Sequence, residues 1–205
     1  MKNPLRKRLL RELRQEMGKY LVVFILMVAT IGFVSGFLVA DGSMLTAYDN
    51  SFEKYNIEDG NFATEEKVYK NQQETIEGYG VKLYENFYVE KALSNGSTLR
   101  IFKNREGVNK VCLMKGKMPK EIGEIVIDRM YADNNKLSVG DTLKSGKKTW
   151  KITGLVALSD YSALFQNNND TMFDSVLFGV AIITDERFES FDKGLMHYSY
   201  AWIYD

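Results

Sequence analysis

The feature that most constrains this chain is a run of 21 residues without a charged side chain, from Tyr20 to Ala40. At a rise of about 1.5 Å per residue, a helix of this length measures roughly 31 Å. That length matches the hydrocarbon thickness of a bilayer, so residues 20–40 are predicted to form a membrane-spanning helix. Gly32 and Gly36 have the spacing that lets a second helix approach closely in lipid, although glycines in membrane helices often mark no particular face.

Charge is distributed unevenly on the two sides of this run. The chain has 27 Lys and Arg against 27 Asp and Glu, but residues 1–19 contain seven basic and two acidic side chains, net +5. Residues 41–205 therefore contain 20 basic and 25 acidic side chains, net −5. The basic flank predicts that residues 1–19 lie in the cytosol and residues 41–205 outside the membrane. The small net negative charge of residues 41–205 also argues against nucleic acid as a partner.

Residues 1–19 are predicted to form an amphipathic basic helix on the cytosolic membrane surface. Leu5, Leu9 and Leu13 recur four residues apart among arginines, which gives such a helix one apolar side. The alternative is that the basic residues serve only as an orientation signal.

A cleaved secretory signal is the alternative to a retained membrane helix, because Ala40 precedes Asp41 as a small residue does at a cleavage site. The apolar run favours the retained helix, since signal sequences usually have only about 7–15 apolar residues.

The only cysteine, Cys112, excludes an intramolecular disulfide and a zinc site built from cysteines.

The segment 41–56 is predicted to continue the helix outward as a stalk. Its apolar side chains recur at helical spacing, at Met44, Tyr48, Phe52 and Tyr55.

Residues 57–205 change to short β-prone runs separated by turns, which predicts a single α+β domain. Strands are predicted at 61–64, 81–89, 98–102, 111–114, 123–127, 139–143, 149–156 and 178–184. Asn95-Gly96 joins two alternating runs and predicts a hairpin. Short helices are predicted at 71–78, from an Asp128 cap through Asn135, and after an Asp185 cap to include Phe188 and Phe191. The predicted core contains Ile125, Ile127, Leu143, Trp150 and Ile152.

The final residues, 198–205, are aromatic and β-prone. Chain termini are usually polar and loosely held, so this composition predicts that the domain is truncated within a larger protein.

No residue pattern predicts catalysis. His197 is the only histidine and is expected on a strand at the domain surface, while Cys112 lies in an apolar strand and is expected to be a buried, inert thiol. The glycines and lysines of 140–149 have neither the spacing nor the strand-to-helix context of a phosphate loop. Residues 166–170 are rich in asparagine but lack the alternate carboxylates of a calcium loop. We therefore expect no catalytic residue, no cofactor and no metal.

Two stretches carry a resemblance to a known family. Residues 5–14, 18–22 and 32–36 look like the start of FtsX-like ABC transporter permeases. The segments 115–119, 123–127, 137–143 and 150–156 resemble the extracytoplasmic core domain that follows the first membrane helix of MacB-type permeases. Asn135 and Lys136 stand where that family usually has Leu and Gly, and Asn135 is able to adopt the left-handed conformation in place of the missing glycine.

The resemblance implies the N-terminal part of a permease in a bacterial cell membrane. It implies as partners a cytosolic ABC ATPase, the bilayer, and further permease helices or a second permease copy. It does not choose among export, lipid, lipoprotein or peptide handling and the transmission of motion to an extracellular enzyme. The competing hypotheses are a single-pass, membrane-anchored binding module and a secreted enzyme released after Ala40.

Overall fold

The structure is a computed structural model, and it describes residue 11 and residues 14–146, 148–167 and 169–205. The chain divides into two compact units, with the boundary between Asn50 and Ser51. The prediction of an amphipathic helix from Leu5, Leu9 and Leu13 lies outside the described residues.

Helix α1 runs from Met17 to Tyr55 over 39 residues. It contains the uncharged run, and by length and composition it is the one helix among the described residues that could cross a membrane. None of its residues is buried. The large apolar side chains along it, from Met17 to Phe52, stay exposed, as expected for a helix whose apolar surface is covered by lipid.

The second unit contains a ten-stranded mixed sheet and three short α-helices, which confirms the predicted α+β layout. The strands are β1 (Gly60–Thr64), β2 (Val81–Glu85), β3 (Tyr88–Ala92), β4 (Thr98–Lys103), β5 (Cys112–Gly116), β6 (Glu124–Asp128), β7 (Thr142–Ser145), β8 (Lys148–Ala157), β9 (Phe178–Ile183) and β10 (Met196–Tyr204). The helices are α2 (Lys70–Glu77), α3 (Arg129–Asn134) and α4 (Asp185–Glu189).

The sheet order is β1-β10-β3-β4-β9-β6-β8-β5, with β2 also paired to β10 and β7 also paired to β8. Two pairs are parallel, β4 with β9 and β6 with β8, and the others are antiparallel. The central strand β9 is buried along its whole length. The five predicted core residues are all buried, between 0% and 5% exposed, which confirms that part of the core.

The predicted single strand 81–89 is wrong, because the structure has two strands with a break at Asn86 and Phe87. The pairing with β10 keeps one register across the break, with Glu85 opposite Tyr200 and Tyr88 opposite His197. The Asn86 amide donates a hydrogen bond to the carbonyl of Ser199 (2.8 Å). The break therefore interrupts the strand without shifting it.

Two predicted helix ends also need correction. Thr184, rather than Asp185, is the N-cap of α4, since its hydroxyl accepts the Arg187 amide (3.4 Å). Phe188 lies in that helix, but Phe191 follows it. The predicted Asp128 cap of α3 is confirmed, because its carboxylate accepts the backbone amides of Met130 and Tyr131.

The left-handed residue after α3 is Lys136 (φ 56°) and not Asn135, whose φ is −93°. The amide of Lys136 donates to the carbonyl of Asp133 (3.3 Å), and the amide of Leu137 donates to that of Ala132 (2.8 Å). These are the two bonds of a Schellman motif. Lysine thus occupies the position at which a glycine would have the smallest steric cost.

Two glycines allow the edge strand β5 to approach β8 closely. Gly116 has φ 81°, and a Cβ on it would lie 2.2 Å from the carbonyl oxygen of Thr153. A Cβ on Gly154 would lie 2.8 Å from the carbonyl oxygens of Lys115 and Lys117. Since no side chain fits between these backbones, the pairing of Gly116 with Gly154 requires glycine on both strands.

We expect Gly154→Ala to destabilise the domain by about 1–3 kcal/mol, because the added methyl group must displace backbone rather than a flexible side chain. The matched control is Gly123→Ala, since nothing lies within 4 Å of a Cβ there. Thermal unfolding of a 51–205 fragment, followed by circular dichroism, measures both. Equal midpoints for the two variants would contradict the close approach.

Candidate functional site

A cleft of about 560 Å³ lies in the second unit beside strands β1, β3 and β4. Its other wall is formed by the segment that follows β8, which begins with a 3₁₀ turn at Ser159–Tyr161. The side chains that line it include carboxylates, amides and aromatic rings, in particular Glu58, Asn86, Tyr88, Arg100, Tyr161 and Asp170. This combination can form hydrogen bonds and ring contacts with a polar ligand.

Arg100 of β4 holds one wall of the cleft in place. Its Nε and Nη2 donate to the Glu90 carboxylate (3.1 and 2.7 Å), its Nη1 donates to the Tyr161 hydroxyl (2.9 Å), and its Nη2 also donates to the carbonyl of Gln166 (2.8 Å). The guanidinium lies 4.2 Å from the centre of the Tyr88 ring. Burial raises the pKa of Tyr161 to about 12, so this hydroxyl stays protonated.

Glu58 forms part of the cleft next to the end of α1. Its carboxylate accepts hydrogen bonds from the side-chain amides of Asn61 and Asn109, both at 2.6 Å. Burial raises the pKa of Glu58, and the neighbouring Asp160 raises it further, while the two amide donors act in the opposite direction. Glu58 has no cationic partner among the described residues within salt-bridge distance.

Asn109 is fully buried and joins this carboxylate to Asn56, the residue that follows helix α1. Its backbone amide donates to the carbonyl of Asn56 (2.9 Å), and its side-chain oxygen accepts the amide of Glu58 (3.1 Å) and the hydroxyl of Ser159 (3.3 Å). Both Asn56 and Asn109 have positive φ, 48° and 46°. Asparagine tolerates this conformation better than most residues, which explains the residue type at both positions.

A buried ion pair lies behind the cleft. The Nη1 of Arg105 contacts both carboxylate oxygens of Asp160 at 2.7 Å, and the two side chains are 6% and 8% exposed. The guanidinium lies 4.0 Å from the centre of the Phe102 ring. Because a buried charge is costly without its partner, this pair fixes the 3₁₀ turn relative to the loop after β4.

Asn86, at the break between β2 and β3, lines the cleft and is 8% exposed. Its side-chain oxygen is buried and has no hydrogen-bond donor among the residues that the structure describes. The nitrogens Nε and Nη2 of Arg105 are likewise buried without a partner there. Buried polar atoms are usually hydrogen-bonded, so these atoms have unused hydrogen-bonding capacity.

Of the residues considered from the sequence, Gln166, Asn167 and Asp170 line the cleft, whereas His197 and Cys112 do not. His197 is exposed on β10, as predicted, and stacks on the Tyr88 ring with 4.7 Å between centroids. Cys112 is only half-buried, so the expected buried thiol is wrong. β5 lies at the sheet edge, and the Cys112 thiol there accepts the Tyr55 hydroxyl (2.9 Å).

The two motifs rejected from the sequence are a hairpin and a loop. Strands β7 and β8 pair as a hairpin, with Gly146 at its turn (φ 58°). Asp170 accepts the backbone amide of Asn167 (2.8 Å) and lines the cleft. Within the described ranges, no three His, Cys, Asp or Glu side chains form a group that could hold a metal ion.

Sequence reasoning missed the cleft itself. Its charged and amide side chains come from segments far apart in the chain, and none of them belongs to a motif with a characteristic spacing. The signal that could have drawn attention to Asn109 was an asparagine in a predicted turn. That signal is common to most turns.

Comparison with known proteins gave little. No protein-family model matches the chain, and no curated protein matches it. One solved structure with some likeness is a domain of a predicted permease protein from Porphyromonas gingivalis, with 13% identity and a TM-score of 0.33. The match covers 62% of this chain and 57% of that one, so the chain spans less than two thirds of that structure. Likeness at this level carries no inference about function.

The raised pKa of Glu58 gives a testable pH dependence. The folded state protonates Glu58 at a higher pH than the unfolded state, so the cost of burying this carboxylate is relieved as the pH falls through the raised pKa toward the usual value of 4.5. We therefore expect the unfolding free energy of the wild type to rise relative to that of Glu58→Gln as the pH falls through this range.

Denaturant unfolding of the 51–205 fragment at a series of pH values measures this difference. The matched control is Glu106→Gln, which removes an exposed carboxylate. The same pH profile in both variants would show that the Glu58 carboxylate is not buried at a cost.

Proposed function

We propose that this chain is the N-terminal part of an ABC transporter permease of the FtsX or MacB type. The observation that carries the proposal is the presence, in one chain, of a helix long and apolar enough to cross a membrane and of an α+β domain. Within the second unit, the carbonyl of Tyr55 accepts the amide of Lys110 (2.8 Å) and that of Asn56 accepts the amide of Asn109. Residues 55 and 56, which belong to the second unit, are therefore hydrogen-bonded to the segment that precedes β5.

The segments that resemble the MacB-type core domain support the proposal. They fold together in one half of the sheet, where β8 pairs with β5, β6 and β7. Several of their residue types have a structural reason there: Gly116 and Gly154 allow the close approach of two backbones, and the Asp141 carboxylate accepts the amide of Ser138 (2.8 Å) in the turn before β7. The resemblance therefore covers a coherent structural unit.

In this proposal, residues 20–40 span the cell membrane of a bacterium, residues 1–19 lie in the cytosol and residues 41–205 lie outside. The domain order is a cytosolic basic helix, the membrane helix, a stalk over 41–56 and the outer domain over 57–205. A partner ATPase supplies the energy, further permease helices or a second copy complete the membrane part, and this chain has no catalytic site of its own.

The topology is tested by placing a cysteine at the hairpin residue Asn95 in a Cys112→Ser background. We expect a membrane-impermeant thiol reagent to label Asn95→Cys in intact cells, because the basic flank keeps the N-terminus inside. The matched control is a cysteine at Gln15, which should react only after lysis. The reverse pattern would refute the proposed orientation.

The continuous helix also predicts a mechanical role. Met44, Tyr48 and Phe52 continue a helical pattern beyond the uncharged run, so we propose that α1 transmits motion between the membrane and the outer domain. Inserting Gly-Gly-Ser-Gly after Tyr48 in the full-length permease should uncouple ATP hydrolysis from the extracellular effect. The ATPase rate and membrane insertion should change little.

The same insertion after Gly146, in the exposed β7–β8 turn, is the matched control and should be tolerated. Full extracellular activity of the Tyr48 insertion would show that residues 41–56 are a plain tether.

The remaining candidate is a single-pass anchored binding module, which the cleft in the outer domain favours. Co-purification of an ATPase with the full-length protein distinguishes the permease from this module.

A further inference from the structure

We propose that the cleft beside β1, β3 and β4 binds a primary ammonium group. The ligand class is an organic amine, either a free diamine or the side chain of a lysine in a peptide. The proposal rests on the charges, unpaired acceptors and aromatic rings of the cleft, and it does not depend on the permease assignment.

The charges of the cleft do not balance. Arg100 is paired with Glu90 and Asp160 is paired with Arg105. The two other carboxylates that line the cleft, Glu58 and Asp170, have no ion-pair partner in the described part of the chain. The cleft therefore has an uncompensated negative charge, which a cationic ligand would neutralise.

Among the described residues that line this cleft, the unpaired buried polar atom is an acceptor, the side-chain oxygen of Asn86, whereas the unpaired nitrogens of Arg105 belong to a residue that lines a different cleft. The side-chain oxygen of Asn86 is an acceptor without a donor among the described residues, although it is buried in the wall of the cleft. The Glu58 carboxylate has bonds only from two amides and keeps free lone pairs. An ammonium group has three N–H donors and no acceptor, so it matches these groups.

An anion fits the cleft poorly. Among the described residues that line it, Arg100 is the only cation, and each of its three nitrogens already donates to Glu90, Tyr161 or the carbonyl of Gln166. A metal ion also fits poorly, because the described residues contain no group of three His, Cys, Asp or Glu side chains. An ammonium ion needs no such set of close ligands.

Aromatic rings supply the remaining attraction. Phe62 and Phe165 line the same cleft, whereas the rings of Tyr88 and Tyr161 already have the Arg100 guanidinium over them, 4.2 and 5.8 Å from their centres. Ring faces attract cations, most strongly when water is excluded. The cleft is larger than an ammonium group, so the aliphatic chain that carries the ammonium can lie along these rings.

The test is isothermal titration calorimetry of the full-length chain in an uncharged detergent, at fixed ionic strength. The probes are 1,5-diaminopentane and the peptide acetyl-Gly-Lys-Gly-amide, which stand for the two sources of an ammonium group. The control probe is 1,5-pentanediol, which has the same length and hydroxyl donors but no charge. We expect one or both amines to bind and the diol not to bind.

The variants locate the site. Glu58→Gln should weaken amine binding about tenfold, as expected for a charge-assisted hydrogen bond, and Asp170→Asn, in an exposed loop, should weaken it about threefold. Asn86→Leu should weaken it as well. The matched control Glu106→Gln removes a carboxylate that lines a different cleft and should leave the affinity unchanged.

Each outcome decides the proposal. Absence of amine binding, equal binding of the diol, or equal losses in Glu58→Gln and Glu106→Gln would overturn it. If Glu58→Gln fails to fold, Asp170→Asn and Asn86→Leu decide, and unchanged affinity in both would overturn it. A preference for the diamine or for the peptide identifies the source of the ammonium group.

Discussion

The arrangement of the second unit depends on the buried side chain and backbone of Asn109. This one residue bonds the carbonyl that follows helix α1, the amide and carboxylate of Glu58, and the hydroxyl of Ser159. Three segments that are distant in sequence meet at it, and each exposes polar groups that would be costly to bury alone. The end of the helix and the wall of the cleft are therefore parts of one hydrogen-bonded network.

The long strand β10 is the second organising element. It pairs with β1 on one side and with β2 and β3 on the other, which holds the break at Asn86 in register. Tyr200 is 1% exposed, stacks on Phe62 and meets the Phe87 ring at its edge, while its hydroxyl accepts the amide of Val68 (2.9 Å). The aromatic composition of residues 198–205 is thus explained by packing within the domain.

Glu58 connects the cleft to the hydrogen-bonded network around Asn109. Glu58 belongs both to the network at the helix end and to the group of carboxylates that we propose as an ammonium site. A ligand that neutralised Glu58 would change the electrostatic environment of Asp160, whose charge adds to burial in raising the pKa of Glu58. In the proposed permease, this shared residue would give ligand binding and motion of the helix a common physical basis.

The sequence by itself determined the local features: the uncharged run, the helix to Tyr55, most strands, the Asp128 cap and the five core residues, because each depends on a periodicity or a cap within a few positions. The tertiary structure decided the break at Asn86 and the half-buried Cys112 at a sheet edge. It also decided the cleft, whose residues come from separate segments. Pairing partners, edge positions and buried charges depend on which distant segments become neighbours, and no local pattern encodes that choice.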